Sequence, residues 1–280
     1  MHQKKTDPDI GKITRLLRNA WYTETQLNLT KDNPELIPYA NLWACVQSYY
    51  AVYLCMRSFL IAMNHSSADK NTHTDTLESI NKEIDKRPDL FPNFWRILCD
   101  GNPNDSRTTK FKNTENGIQI NHSISSLNKN ISFVDRYCQF LKTTRKRSFD
   151  EKRKKYLTKN GAKRLTKKDI ENILKNMHPT TIFDCLFRLR IRSNYHDSEI
   201  FMPNIVSKNE ALAFNESLRT ICSHSLLIFE ILISGYIKSN QYTKITNDFL
   251  RGLNFESPLK NRLNTILAFN NGKAVSFSGT

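Results

Sequence analysis

The sequence predicts an all-α protein, an up-and-down helical bundle interrupted by a polar, basic insertion. Three observations predict it. Only 8 Gly and 9 Pro occur in 280 residues, so turns are few. Apolar residues recur at three- and four-residue spacing over several long stretches, with little strand-like alternation. The strongest of these stretches lie before residue 65 and after residue 179 and flank a polar middle. A hydrophobic content of 39% supports a real core at this length. The expected organisation is 8–64 as the first half of the bundle, 65–178 as an insertion with short helices, and 179–270 as the second half with C-terminal helices.

Taken in order, residues 9–27 read as a helix with Ile13, Leu16, Leu17, Ala20 and Trp21 on one side. Asn33-Pro34 marks a second start, since proline fits a first turn where its missing donor is not needed. The helix that follows, to about residue 64, carries Leu42, Val46, Tyr49, Tyr50, Tyr53 and Leu60 on a broad stripe beside Arg57, and Pro38 is expected to bend it or delay its start. Such a tyrosine stripe is ordinarily core, yet buried hydroxyls need partners, which Arg57 or the region around Arg190 would supply.

Residues 65–130 are rich in Asn, Asp, Ser and Thr, with a short helical piece near 76–85, an apolar patch at Leu90, Phe91, Phe94, Trp95 and Leu98, and alternation through Ile118, Ile120, His122 and Ile124 that permits a short strand. Four capping patterns then open helices: Ser132-x-x-Asp135 (to about 142), Thr166-x-x-Asp169 (to 177), Thr181-x-x-Asp184 (to about 196) and Ser207-x-x-Glu210 (to about 238). Two shorter helices are expected near 240–252 and from Ser257-Pro258 to about 269, ahead of a loose tail.

Charge narrows the partners. The net charge of +15 favours an acidic partner such as nucleic acid. Residues 141–168 hold 13 Lys or Arg against Asp150 and Glu151, a net of +11. This run reads either as a solvated, partly disordered insertion or as a phosphate-tracking surface. In the second reading Arg145, Lys146, Arg147, Lys152, Arg153, Lys154, Lys155, Lys163 and Arg164 bind RNA, with Phe149 and Tyr156 available for base stacking.

Other chemistries find little support. Six cysteines without a CxxC pair read as buried free thiols. The seven histidines are scattered, and there is no HExxH, no glycine-rich phosphate loop and no GxSxG elbow, so no metal and no cofactor are expected. The first residues lack the apolar core of a signal peptide. The longest apolar run, 226–237, carries Glu230 and is too short to span a bilayer. A cytoplasmic protein without a membrane partner is the expectation.

The segment that stands out is 189–197, where Arg190, Arg192 and His196 crowd the end of an apolar helix. At about 100° per residue, Ile182, Leu186, Leu189 and Ser193 form one stripe, and Arg190 falls inside its arc. An arginine there snorkels, pairs, lines an interface or serves a site.

The stretch 43–60, with Tyr49-Tyr50-Ala51 followed by Tyr53, resembles the tyrosine-rich helix of HEPN-domain proteins. Leu189-Arg190-Ile191-Arg192-Ser193-Asn194-Tyr195 resembles the leucine-arginine signature of a later helix in that superfamily, with Ser for Ala and Asn for Asp. The resemblance covers roughly 10–65 and 179–240 and implies a helical bundle, often dimeric. Its nuclease members carry an arginine, four to six residues and a histidine, a spacing that Arg190 and His196 satisfy. The resemblance therefore implies metal-independent RNA cleavage at a homodimer interface by a toxin or phage-defence effector, with an antitoxin or nucleotidyltransferase as further partner. His196 would move protons, Arg190 would stabilise charge on phosphate, Arg192 would anchor phosphate and Asn194 would orient the histidine. Ile191 departs from the polar residue common at its position. On an ideal helix Arg190 and His196 point about 120° apart, so their joint use requires the helix to end near Asn194. The alternatives are a noncatalytic HEPN-like module that binds RNA, nucleotide or a protein partner, and an unrelated helical nucleic-acid-binding protein.

Overall fold

The computed structural model describes residues 7–65, 72–114, 133–195, 207–255 and 257–270. Among these, ten α-helices and one two-stranded sheet make the protein mostly helical. The chain forms two compact units, one from 1–76 with 189–280 and the other from 77–188. Their limits fall at 76/77 and 188/189, where composition places them near 64/65 and 178/179.

In the first unit, α1 (Ile10–Asn28) begins where the Asp9 side chain accepts the Lys12 N–H, the bond expected of an N-cap. The helix α2 (Ile37–Ala62) starts three residues after Pro34, with Pro38 in its first turn, so this proline sets the start instead of kinking the middle. The helix α8 (Lys208–Ile237) opens on a reciprocal capping box between Ser207 and Glu210. The Ser58 hydroxyl donates to the Ile13 carbonyl at 3.5 Å, which sets α1 antiparallel to α2. Asn41 donates to the Ala211 carbonyl, Ser48 to that of Leu218, and Phe59 meets Phe229, so α8 runs parallel to α2. Two further helices, α9 (Ser239–Leu250) and α10 (Pro258–Asn270), pack against α8 and against each other.

By length and composition α8 is apolar enough to cross a membrane, which the shorter run 226–237 did not suggest. Most of that apolar stretch is buried against the bundle, as a core helix requires.

Inside this unit sits a buried charge network. The Arg262 guanidinium on α10 donates to Glu230 Oε2 (2.9 Å) and Oε1 (3.0 Å) on α8 and to Glu24 Oε1 (2.5 Å) on α1, and Trp21 Nε1 donates to Glu230 Oε1 (2.6 Å). Burial lifts the Glu230 carboxyl above its ordinary range against the pull of Arg262 and Trp21. Residues 238 apart in sequence thus tie α1, α8 and α10 together.

The second unit holds the C-terminal part of α3 (His73–Lys86), a 3-10 turn at Pro88–Leu90, the single turn α4 (Asn93–Arg96), β1 (Leu98–Asp100), β2 (Lys110–Lys112), α5 (Phe133–Asn160), α6 (Lys167–Lys175) and the first part of α7 (Ile182–Tyr195). The strands pair antiparallel with Cys99 opposite Phe111. Gly101 leaves β1 at φ +78°, and a Cβ there would lie 1.9 Å from the Thr108 carbonyl oxygen, so only glycine fits. The alternating segment at 118–124 lies outside the described residues.

The basic run departs most from expectation, because α5 is one helix of 28 residues. Lysine and arginine are good helix formers. Tyr137, Cys138, Leu141, Arg145 and Phe149 supply a buried row at three- and four-residue steps. Phe149, Ile173 and Met177 then form a small core with Tyr156, Leu165, Ile170 and Leu174, which folds α6 back on α5.

Two expectations fail here. Phe149 is core and Tyr156 donates its hydroxyl to Asp169 (2.6 Å), so neither ring is presented for base stacking. Arg145 is fully buried, with Nε on the Gly101 carbonyl (2.7 Å), Nη1 on that of His178 (2.9 Å) and Nη2 on Asp100 (3.0 Å). It clamps the strand turn and does not face a phosphate.

Candidate functional site

The site is built on α2. Tyr49, Tyr50 and Tyr53 lie within one turn of that helix, and α3 brings His73, its first residue, against all three. The Tyr53 and His73 ring centroids are 4.2 Å apart, and the Tyr49 hydroxyl lies 2.8 Å from His73 Nδ1. From α7, Arg190 Nη2 donates to the Tyr50 hydroxyl at 2.9 Å, and its guanidinium carbon stands 5.4 Å from the centre of that ring. A planar cation over an aromatic face, bonded to its hydroxyl, has a fixed orientation.

The helix α7 carries Arg190 in its second half. Its start is a capping arrangement in which the Asp184 carboxylate accepts the Thr181 N–H (2.8 Å), with further bonds from Asn81 (2.7 Å) and His178 (3.0 Å). One turn after Arg190, Ser193 is buried and bonds toward Cys45, one turn before Tyr49. Rising numbers on α7 therefore meet falling numbers on α2, and the end of α7 is antiparallel to α2. Burial, eased by the Ser193 bond, pushes the Cys45 thiol up to about 11. That thiol is packing material, not a nucleophile.

The electrostatics of the cluster turn on His73. Burial, then the Arg190 charge and then that of Arg57, hold its imidazole below the ordinary histidine value. At neutral pH it is an uncharged ring, able to accept or pass a proton beside a fixed cation.

The sequence-predicted residues are placed as follows. Arg190 and Arg192 are half-buried on α7, and Arg192 contributes its charge to the surroundings of Cys45. The helix runs through Tyr195, close to the expected end near 196, so Asn194, where joint use of Arg190 and His196 requires the helix to stop, has helical backbone. His196 lies outside the described residues. Of the basic residues, Lys146, Arg153, Lys154, Lys155, Lys163 and Arg164 are exposed. Lys152 is exposed and also donates to the Asn176 carbonyl (2.7 Å), and Arg147 pairs with Glu151 (3.4 Å). All of them, with the buried Arg145, belong to the 77–188 unit, whereas Arg190 and Arg192 belong to the other.

His73 was missed by reading the histidines as scattered. A local signal existed: Thr72 and Asp75 form a capping pair, with the Asp75 N–H on the Thr72 hydroxyl (3.1 Å), and this pattern starts a helix at His73. All six cysteines are buried and free. Among the described residues no group of three His, Cys, Asp or Glu side chains could hold a metal. No family model matches the chain, and no curated protein or solved structure matches it either.

Proposed function

We propose that the chain is a metal-independent endoribonuclease of HEPN type that acts at a homodimer interface, with Arg190 as the cation that stabilises charge on the reacting phosphate. The observation that carries this reading is the placement of Arg190, half-buried and oriented by the Tyr50 ring and hydroxyl beside His73. The alternating directions of α1, α2, the end of α7 and α8 support an up-and-down bundle of the kind the resemblance implies. In this reading the 2′-hydroxyl of RNA attacks the adjacent phosphorus and its proton passes to a basic group. The bond to the 5′-oxygen breaks, and that oxygen takes up a proton. The products are a 2′,3′-cyclic phosphate and a 5′-hydroxyl, and Arg190 faces the negative charge that grows on the non-bridging oxygens. Arg192 anchors a flanking phosphate, Asn194 orients the proton-transfer histidine, and the exposed lysines and arginines of α5 and the turn to α6 track the backbone. The resemblance assigns His196 to proton transfer, and His73 is the imidazole that stands beside Arg190. A toxin or phage-defence role, an antitoxin or nucleotidyltransferase partner and a cytoplasmic location belong to the same proposal.

The test is incubation of purified protein with structured RNA in excess EDTA, followed by analysis of product ends. Cleavage with cyclic phosphate ends is expected to survive the chelator and to fall roughly 10²- to 10³-fold in Arg190→Ala. His196→Ala and His73→Ala, assayed side by side, report which imidazole carries the proton. Intact RNA at every salt concentration, or unchanged cleavage in both histidine variants, overturns the catalytic reading. A second reading, a noncatalytic module for RNA, nucleotide or a protein, is favoured by one observation: the guanidinium of Arg190 already donates to Tyr50. It predicts binding without cleavage.

A further inference from the structure

A groove of about 540 Å³ runs between α1 and α2 and is lined by Asn19, Tyr22 and Gln26 from one helix and Trp43, Gln47 and Tyr50 from the other. It has the size of a small-ligand cleft, in the range of ~300–1,000 Å³. Two large aromatics on it are open to solvent, Trp43 at 63% and Tyr22 at 51% exposed. Tyr22 is held edge-on by Phe249 at 4.9 Å, which fixes its ring while half of the residue stays open, and exposed aromatics grouped along a groove mark a binding surface.

The chemistry of the walls selects the occupant. Between the rings stand the amides of Asn19, Gln26 and Gln47, which have no protein hydrogen-bond partner among the described residues. Each offers two donors and an acceptor to a base edge. Cations continue both rows at one end. Arg15 and Arg18 precede Asn19 and Tyr22 by one turn on α1, and Arg57 follows Leu54 on α2 and reaches His73 with its charge. At the opposite end the connection between α1 and α2 carries Asp32 and Glu35, and Glu35 is already paired with Lys208. The groove therefore has aromatic faces, amides and a cationic exit. It is continuous with the site above, because Tyr50 lines it and also receives Arg190.

We propose that this groove binds unpaired bases of single-stranded RNA, which stack on Trp43 and Tyr22 and bond to the amides while their phosphates leave toward Arg57 and Arg190. Stacking is available only to bases that have left a duplex, so the groove makes the protein selective for single-stranded segments. The proposal names the substrate class of the ribonuclease reading and rests on that reading only for the choice of RNA.

The test uses the full-length protein and fluorescein-labelled 2′-O-methyl oligonucleotides, which cannot be cleaved, as a single strand and as a duplex of the same sequence. Anisotropy titrations should show preference for the single strand. Trp43→Ala should weaken it roughly 5- to 150-fold, the equivalent of one lost stacking contact, and leave duplex affinity unchanged. Trp43→Phe should keep most of the affinity, and Gln47→Ala should alter preference among homopolymers. Unchanged single-strand affinity in Trp43→Ala and Gln47→Ala, or no single-strand binding by the native protein, overturns the proposal. A Trp43→Ala protein that changes oligomeric state at constant affinity also overturns it and assigns the groove to a second copy. Failure here with chelator-resistant cleavage intact leaves the nuclease reading standing, and loss of affinity in Trp43→Ala without any cleavage leaves the groove and removes the nuclease.

Discussion

Arg262 and Arg190 are two arginines on apolar helix faces of the same unit, held in opposite ways. Arg262 is buried, with two carboxylates and an indole closing a network around it, so three helices lose a shared partner if it is removed. Arg190 is half-buried and rests on a neutral phenol and its ring, with an uncharged imidazole alongside. A guanidinium matched to carboxylates inside the protein is a structural element. One held by a tyrosine ring and hydroxyl at a half-buried position stays within reach of solvent. Along the sequence Arg190 stands out and Arg262 does not, although Arg262 is the more deeply buried.

The largest expected effect breaks this comparison directly. Arg262→Ala leaves Glu24 and Glu230 buried without their cation and should cost about 3–5 kcal/mol of stability. Arg190→Ala removes the cation–ring contact and the bond to the Tyr50 hydroxyl from a half-buried position and should cost about 1–2 kcal/mol. Urea denaturation midpoints of the two variants at neutral pH measure the gap. Equal losses would make Arg190 another structural arginine and would remove the observation on which its functional role stands.

A smaller effect concerns the start of α7, the helix whose second half carries Arg190. The Asp184 carboxylate is buried, which opposes its ionisation, yet the bonds from His178, the Thr181 N–H and Asn81 outweigh burial and hold it below the ordinary aspartate value. A carboxylate depressed in the folded state contributes stability that is present above the unfolded value and lost as pH falls through the folded one. Asp184→Asn should therefore cost about 1.5–3 kcal/mol at pH 7, the worth of hydrogen bonds to a charged group. The difference from the native protein should shrink as pH falls below about 4. Thermal melts from pH 7 to pH 3 read both, and a constant difference across that range would show that Asp184 acts through shape alone.

What could be read in advance followed the range of the interactions. The starts of α6 and α8 were legible because Thr166 with Asp169 and Ser207 with Glu210 are three residues apart and complete their capping boxes locally. Arg190 was legible because its own helix showed it on the wrong face. Arg145 was misread as surface because its acceptors lie 44, 33 and 45 residues away, and nothing near it separates a clamp from a charge run. Arg262 meets Glu24 across 238 residues, beyond any local pattern. The α1/α2 groove was illegible for a different reason: Asn19, Tyr22 and Gln26 form an ordinary solvent face until Trp43 and Gln47 are set opposite them.

The smallest stability effect belongs to the exposed lysines of α5, and it separates the two meanings of a cation most cleanly. Four consecutive residues, Lys152 to Lys155, span the whole circumference of a helix at about 100° per residue, so they surround α5 and do not share a face. Replacing Lys154 and Lys155 with glutamine should change the denaturation midpoint by no more than about 0.5 kcal/mol, because surface charges away from caps and networks contribute little. If these residues follow an RNA backbone, each lost contact should reduce the slope of log affinity against log salt by roughly one. An unaltered slope would mean that α5 is charged for solubility, and the +11 concentrated in 141–168 would then be no part of the RNA footprint.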